Sequence, residues 1–106
     1  MGYKLVITEA AEFQLDNLIS YLLLDLQNES AAMNLLNHIE SLYRRIEENP
    51  YQFPVYDNPY LHENKYREAV LTDMNYIVIF RVGIECVYIV GVFHQLENYH
   101  TYLFLH

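Results

Sequence analysis

Positive charge is scarce in this chain: six Lys and Arg face fourteen Asp and Glu, a formal charge of −8 over 106 residues. Binding to a phosphate backbone draws its affinity from several basic contacts and the counterions they release. So few cations argue for protein partners over bare DNA or RNA. Cysteine is scarcer still. Cys86 stands alone, which excludes an intramolecular disulfide framework and fits a reducing cytoplasm. No apolar run approaches the roughly 20 residues of a membrane span. The N-terminus shows no signal-peptide pattern, so a soluble cytoplasmic protein without membrane association is expected. Metal-ligand spacing is missing too. His62, His94, His100 and His106 are scattered, and neither a metal nor another cofactor is expected.

Apolar residues are plentiful, at 53% of the chain. A length of 106 residues reads as one domain spanning 1–106, able to bury about 65% of its unfolded surface. Tyr3 to Ile7 is a short strand candidate ending at Thr8, a credible N-cap with Glu9 and Glu12 in the first helical turn. Ala11, Leu15, Leu18, Ile19, Leu22 and Leu26 recur at helical spacing and predict a first helix running to about Leu26. Ser30 can cap a second helix carrying Ala32, Leu35, Leu36, Ile39, Leu42, Tyr43 and Ile46 on one face and stopping at Asn49-Pro50. With so short a link, the two helices should form an antiparallel hairpin.

Pro50, Pro54 and Pro59 fall in one stretch with Tyr51, Phe53, Tyr56 and Tyr60 interleaved, an aromatic-anchored loop leading to a sheet. Three strand candidates follow: Lys65 to Leu71, Tyr76 to Val82 and Val87 to Phe93, the last two joined by a hairpin over Gly83 to Cys86. The predicted fold is α+β, a two-helix antiparallel hairpin packed on a small, mostly antiparallel sheet of about four strands.

Strand alternation adds a functional hint. Tyr76, Val78, Phe80 and Val82 point one way, and Ile77, Ile79 and Arg81 the other. In the last strand Val87, Ile89 and Phe93 oppose Tyr88, Val90 and Val92. Both faces are largely apolar, yet one helical hairpin covers only one of them. The second face is expected to be covered by a partner protein or by the tail Tyr99 to Leu105.

This layout resembles the RelE/ParE superfamily, the toxin halves of bacterial type II toxin–antitoxin modules, also known as plasmid-stabilisation modules. The resemblance runs from Tyr3-Lys4-Leu5-Val6-Ile7-Thr8 through Ala10-Ala11, the two helices and Asn49-Pro50. It continues through Tyr66-Arg67 and the Tyr76 to Val82 strand to Val90-Gly91-Val92-Phe93-His94. It implies a small toxin neutralised by a cognate antitoxin that wraps the sheet and helices, in a homodimer or a toxin–antitoxin heterotetramer. Ile77, Ile79, Tyr88, Val90 and Val92 are then the antitoxin-binding candidates.

Two activities are known within the superfamily: mRNA cleavage on the ribosome by RelE-like members, without a metal, and inhibition of DNA gyrase by ParE-like members. Cleavage must activate a 2′-hydroxyl, stabilise phosphate charge and protonate a leaving oxygen. The resemblance matches one basic position of that set, Arg67, with Lys65 two residues earlier. Ile77 stands where the nuclease branch has an arginine, and Gln95-Leu96-Glu97 where many members carry another. Tyr99 and Tyr102 fall near the family's C-terminal tyrosine.

Lys65, Arg67 and Arg81 are the target-contact candidates, and Arg67, Arg81 and His94 the candidates for catalysis. Against these stand plain readings: sheet arginines paired with carboxylates, a solvated Lys65, and a hydrogen-bonded His94 at a strand end. His38 and Cys86 read as structural. The incomplete nuclease set and the long, uninterrupted helical hairpin lean toward the ParE-like, gyrase-directed branch. The alternatives are a ribosome-dependent endonuclease, or a toxin-derived binding module without activity.

Overall fold

A computed structural model describes residues 2–56, 66–71 and 74–94. The order is β1 (Lys4–Ile7), α1 (Glu9–Ser20), a π-helical turn (Tyr21–Asp25), α2 (Glu29–Glu48), a 3-10 turn (Pro50–Gln52), β2 (Tyr66–Leu71), β3 (Tyr76–Val82) and β4 (Cys86–His94). The sheet order is β1-β4-β3-β2. β1 runs parallel to β4, and the β2/β3 and β3/β4 pairs are antiparallel. This is the α+β architecture the sequence predicts: two helices on a four-stranded, mostly antiparallel sheet.

Local chemistry sets the helix boundaries. Thr8 caps α1, its Oγ1 accepting from Ala11 N at 3.2 Å while donating to Ile89 O at 2.8 Å. One hydroxyl thus starts the helix and ties that start to β4. α2 begins at Asn28, whose Oδ1 accepts from Ala31 N at 3.0 Å. The cap is therefore Asn28 and not Ser30, which lies one residue inside α2. Ala32, Leu35, Ile39, Leu42 and Ile46 are the buried stripe of α2, spaced three and four apart. Its end is held by side chains: Gln52 Nε2 donates to Arg45 O and Asn49 O, and Asn49 Oδ1 accepts from Tyr51 N.

The first helix departs from its predicted course. Its last turn opens into five π-helical residues, and Leu26 N donates to Tyr21 O, five residues back. The wider turn breaks the 3.6-residue phase on which the predicted stripe depends. Leu22 still reaches the core, but Leu26 is 53% exposed. The hairpin is therefore interrupted, not the uniform helix pair expected.

Residues 54–56 add a short edge to the sheet. Tyr56 N donates to Tyr66 O at 2.8 Å and Glu68 N to Pro54 O at 3.0 Å, with Val55 bridged to Arg67. The aromatic loop is tied to β2 before the chain returns as β2. The main core lies between the helices and one sheet face, where Phe80, Val78, Val87 and Ile89 meet Leu35, Ile39 and Ile46.

Candidate functional site

The second face of the sheet depends on one irregularity. β3 and β4 pair Ile79 with Gly91 but Phe80 with Ile89, leaving Val90 as the extra residue of a β-bulge. A one-residue slip sends every later side chain to the opposite face. Val92 therefore pairs with Val78 and enters the helix-side core, and Phe93 pairs with Ile77 on the other side. The strict alternation expected for β4 is corrected at these two residues. Val92, expected at a partner surface, is 1% exposed beneath the helices.

Gln14 on α1 stabilises this arrangement: its Oε1 accepts from Val92 N at 2.9 Å just past the bulge. Gly91 fits the same crowding. A Cβ there would overlap the Phe93 ring and approach Gln14 Oε1 to 3.1 Å.

Ile77, Ile79, Phe93 and Tyr56 form a second buried cluster, with Tyr66 and Val90 packed against it. Ile77 and Ile79 are 2% and 0% exposed, so these two expected antitoxin contacts are already closed off within the chain. Tyr88 and Val90 are half-buried and reachable. The tail Tyr99 to Leu105, expected as a possible cover, lies outside the described residues, as do Lys65 and the 95–97 segment.

The target-contact and catalytic candidates are dispersed. Arg67 pairs with Phe80, a helix-side residue, while Arg81 pairs with Tyr66 and Tyr88 on the opposite face. Arg67 Nη1 donates to Phe53 O at 2.7 Å, and its guanidinium lies 4.9 Å from the centre of the Tyr51 ring. Arg81 stacks on Tyr88 at 4.5 Å. A carbonyl and two rings thus engage the arginines for which carboxylate partners were the plain expectation. His94 is the last residue of β4, its ring edge-to-face with Tyr76 at 5.3 Å. Five residues along β3 separate Tyr76 from Arg81, roughly 17 Å at strand rise. Arg67, Arg81 and His94 do not share one pocket.

The described cations nevertheless gather at one end of the molecule. Lys4 begins β1 beside Cys86, Arg81 is next to last in β3, and Arg67 is second in β2. Tyr3 N donates to Glu47 O, bringing the last turns of α2, with Arg44 and Arg45, to the same end. Arg45 lies 5.2 Å from the Phe53 ring. An open groove there is lined by Gly2, Tyr3, Arg44, Glu47 and Glu48. Tyr3 and Tyr51 meet edge-to-face at 6.3 Å, and partial burial, then the hydrogen bond and charge of Tyr51, raise the Tyr3 phenol above its ordinary pKa.

Sequence reasoning overlooked the outer side of α1. Phe13, Tyr21 and Leu24 are 67%, 50% and 72% exposed. Phe13 lies on the side of α1 opposite Ala11, Leu15 and Leu18, and Tyr21 and Leu24 follow in the π-helical turn. These apolar residues are visible in the sequence, but the core stripe dominates the pattern, and their exposure follows only from the observed geometry. Among the described residues no group of three His, Cys, Asp or Glu is placed to hold a metal, and no helix is long and apolar enough to cross a membrane.

Comparison with known proteins identifies a family. Residues 5–99 match the family described as ParE toxin of type II toxin–antitoxin system, parDE. A solved structure titled "Chromosomal ParDE TA system from P. aeruginosa" superposes with a TM-score of 0.71 at 17% identity, covering 87% of this chain and 95% of that one. A search of curated proteins finds no match. With nearly the whole chain inside the family match and the architecture shared, the chain belongs to the ParE toxin family of type II toxin–antitoxin systems.

Proposed function

We propose that this toxin acts through protein contact on DNA gyrase in the cytoplasm and is silenced by a cognate antitoxin. The observation carrying this reading is the dispersal of the cationic and acid–base candidates. Arg67 and Arg81 lie on opposite faces and His94 at the other end of the sheet, each engaged with neighbouring groups. RNA cleavage needs a base, an acid and a cation around one phosphate. Ile77, where the nuclease branch has an arginine, is buried in the second cluster. A net charge of −8 also disfavours a long RNA contact.

The antitoxin half of the reading rests on family membership and on the neighbour's title, which names a ParDE system. Of the five antitoxin-binding candidates, Tyr88 and Val90 are half-buried and remain open to such a partner. The test is expression without any antitoxin, scored by growth, followed by supercoiling assays with purified gyrase. Growth arrest with loss of supercoiling is expected. Untouched supercoiling at high excess overturns the gyrase target, and ribosomal A-site cleavage places the protein in the nuclease branch instead.

A further inference from the structure

The turn between β3 and β4 breaks a local rule. Gly83 N donates to Cys86 O at 2.7 Å, which leaves Ile84 and Glu85 as the tip of the hairpin. Such tips favour glycine, asparagine and aspartate. Ile84 instead places a β-branched apolar side chain there, 97% exposed, more than any other large apolar residue described. It adds nothing to the core. A residue that breaks a local preference without a packing gain points to function.

The tip is also held firmly. Lys4 N donates to Glu85 O at 3.0 Å, so β1 fixes the turn from one side. On the other, the Tyr88 ring lies against Gly83, where an added Cβ would come within 3.2 Å of it, and Arg81 stacks on that ring at 4.5 Å. Ile84 therefore projects from a fixed backbone between two cations, Lys4 and Arg81. An apolar side chain presented in this way loses little conformational entropy when a partner encloses it.

We infer that the β3–β4 turn is the toxin's contact with its target protein, Ile84 entering an apolar pocket whose rim carries carboxylates facing Lys4 and Arg81. This inference rests on the proposal above that the toxin acts through protein contact on gyrase. Charge selects the partner. Residues 5–43 contain no Lys or Arg and carry Glu9, Glu12, Asp16, Asp25, Glu29 and Glu40. All the described cations lie at the end that bears the turn, tempered there by Glu47, Glu48, Glu68 and Glu85. An acidic surface is repelled along the helical hairpin and meets cations only at this end. Glu85, exposed beside Ile84, would face the phosphates of a nucleic-acid groove, so the occupant is protein and not DNA.

The test titrates full-length toxin variants against supercoiling by purified gyrase. Ile84→Asp is expected to raise the half-inhibitory concentration roughly 30-fold, and Ile84→Leu by less than about threefold. Lys4→Glu reverses one flanking charge and should raise it at least about threefold. Glu85→Lys adds a cation beside Ile84 and should inhibit at least as strongly as the wild type. Because Lys4, Ile84 and Glu85 are exposed, the variants are expected to fold, and circular dichroism and melting temperature check this.

If the wild type inhibits and folded Ile84→Asp inhibits equally well, the contact is overturned while the gyrase reading stands. Weaker inhibition by Glu85→Lys, or no loss with Lys4→Glu, overturns the acidic rim and the inference with it. Three other occupants have their own signatures, and each sinks the inference. Loss of antitoxin rescue alone in Ile84→Asp assigns the turn to the antitoxin. A wild-type dimer in sedimentation that Ile84→Asp splits assigns it to a second copy. Binding of the toxin to duplex DNA without gyrase, lost in Ile84→Asp, assigns it to nucleic acid. If the wild type leaves supercoiling untouched at high excess, the gyrase reading itself falls.

Discussion

Gln14 reaches from α1 to β4 and accepts a hydrogen bond from the backbone N–H of Val92 at 2.9 Å. This contact couples the helix layer to the one point where the sheet changes register. The bulge at Val90 takes a residue out of the ladder, and the Gln14 amide meets backbone just beyond it. Removing the acceptor leaves a buried donor unpaired, which costs about 1–3 kcal/mol. Gln14→Ala is therefore expected to lower stability by that amount in a urea titration. An unchanged midpoint would mean that the bulge holds itself.

Gly91→Ala tests the same region from the strand. An added methyl would overlap the Phe93 ring, the residue that closes the second face over Ile77 and Ile79. The ring must move, and overpacking of this kind costs about 1–3 kcal/mol. Because Phe93 is the displaced group, exposure of Ile77 and Ile79 should rise with it. Dye binding to newly open apolar surface is the measurement. A stable variant without added dye binding would show that Phe93 has room to relax.

The Gln14–Val92 contact also marks the limit of what the sequence discloses. Strand and helix order, the Thr8 cap and the α2 stripe follow from short-range periodicity, because each is set by neighbours within four residues. The bulge does not, since Val87 to Phe93 reads as an unbroken alternation and the decisive partners, Gln14 and Ile79, lie far away in the chain. Alternation alone thus puts Val92 on the partner face and Phe93 on the core side, the reverse of where they lie. The π-helical turn is hidden for a similar reason: Leu22 and Leu26 fit the helical spacing, and only the observed geometry turns Leu26 outward. Of the candidate site, the position of Arg67 in β2 is legible. Its contacts with Phe53 and Tyr51 are not, because the loop between them folds back by backbone pairing at residues 54–56.

Those contacts give Arg67 a structural task that can be measured apart from toxicity. Its guanidinium holds the Phe53 carbonyl at 2.7 Å and caps the Tyr51 ring. Losing both, in a half-buried setting, is expected to cost about 1–2 kcal/mol. Arg67→Ala should therefore lower the melting temperature while leaving supercoiling inhibition intact at a temperature where the variant stays folded. Loss of inhibition in a fully folded Arg67→Ala protein would make Arg67 a target contact after all.

Tyr43 offers a pH test whose sign is fixed in advance. Its hydroxyl is buried between the helix layer and the core, with no hydrogen-bond partner among the described residues. Burial, and then the Glu12 carboxylate, push its pKa from 10.0 up to about 12. An acid whose folded-state pKa lies above its unfolded value contributes fully below about pH 10. Between pH 10 and about 12 the unfolded chain ionises first, so stability falls by up to about 1.4 kcal/mol per pH unit from this group. Tyr43→Phe removes that slope. It also removes the cost of an unpaired buried hydroxyl, so the variant should be as stable as the wild type or up to about 1 kcal/mol more stable near neutrality. The stability difference between the two proteins should stay flat from about pH 7 to 9 and widen in favour of the Tyr43→Phe variant above about pH 10. The other tyrosines are common to both proteins and cancel in the difference. A difference that stays flat to about pH 12 would show that the phenol ionises freely and that the helix layer opens around it.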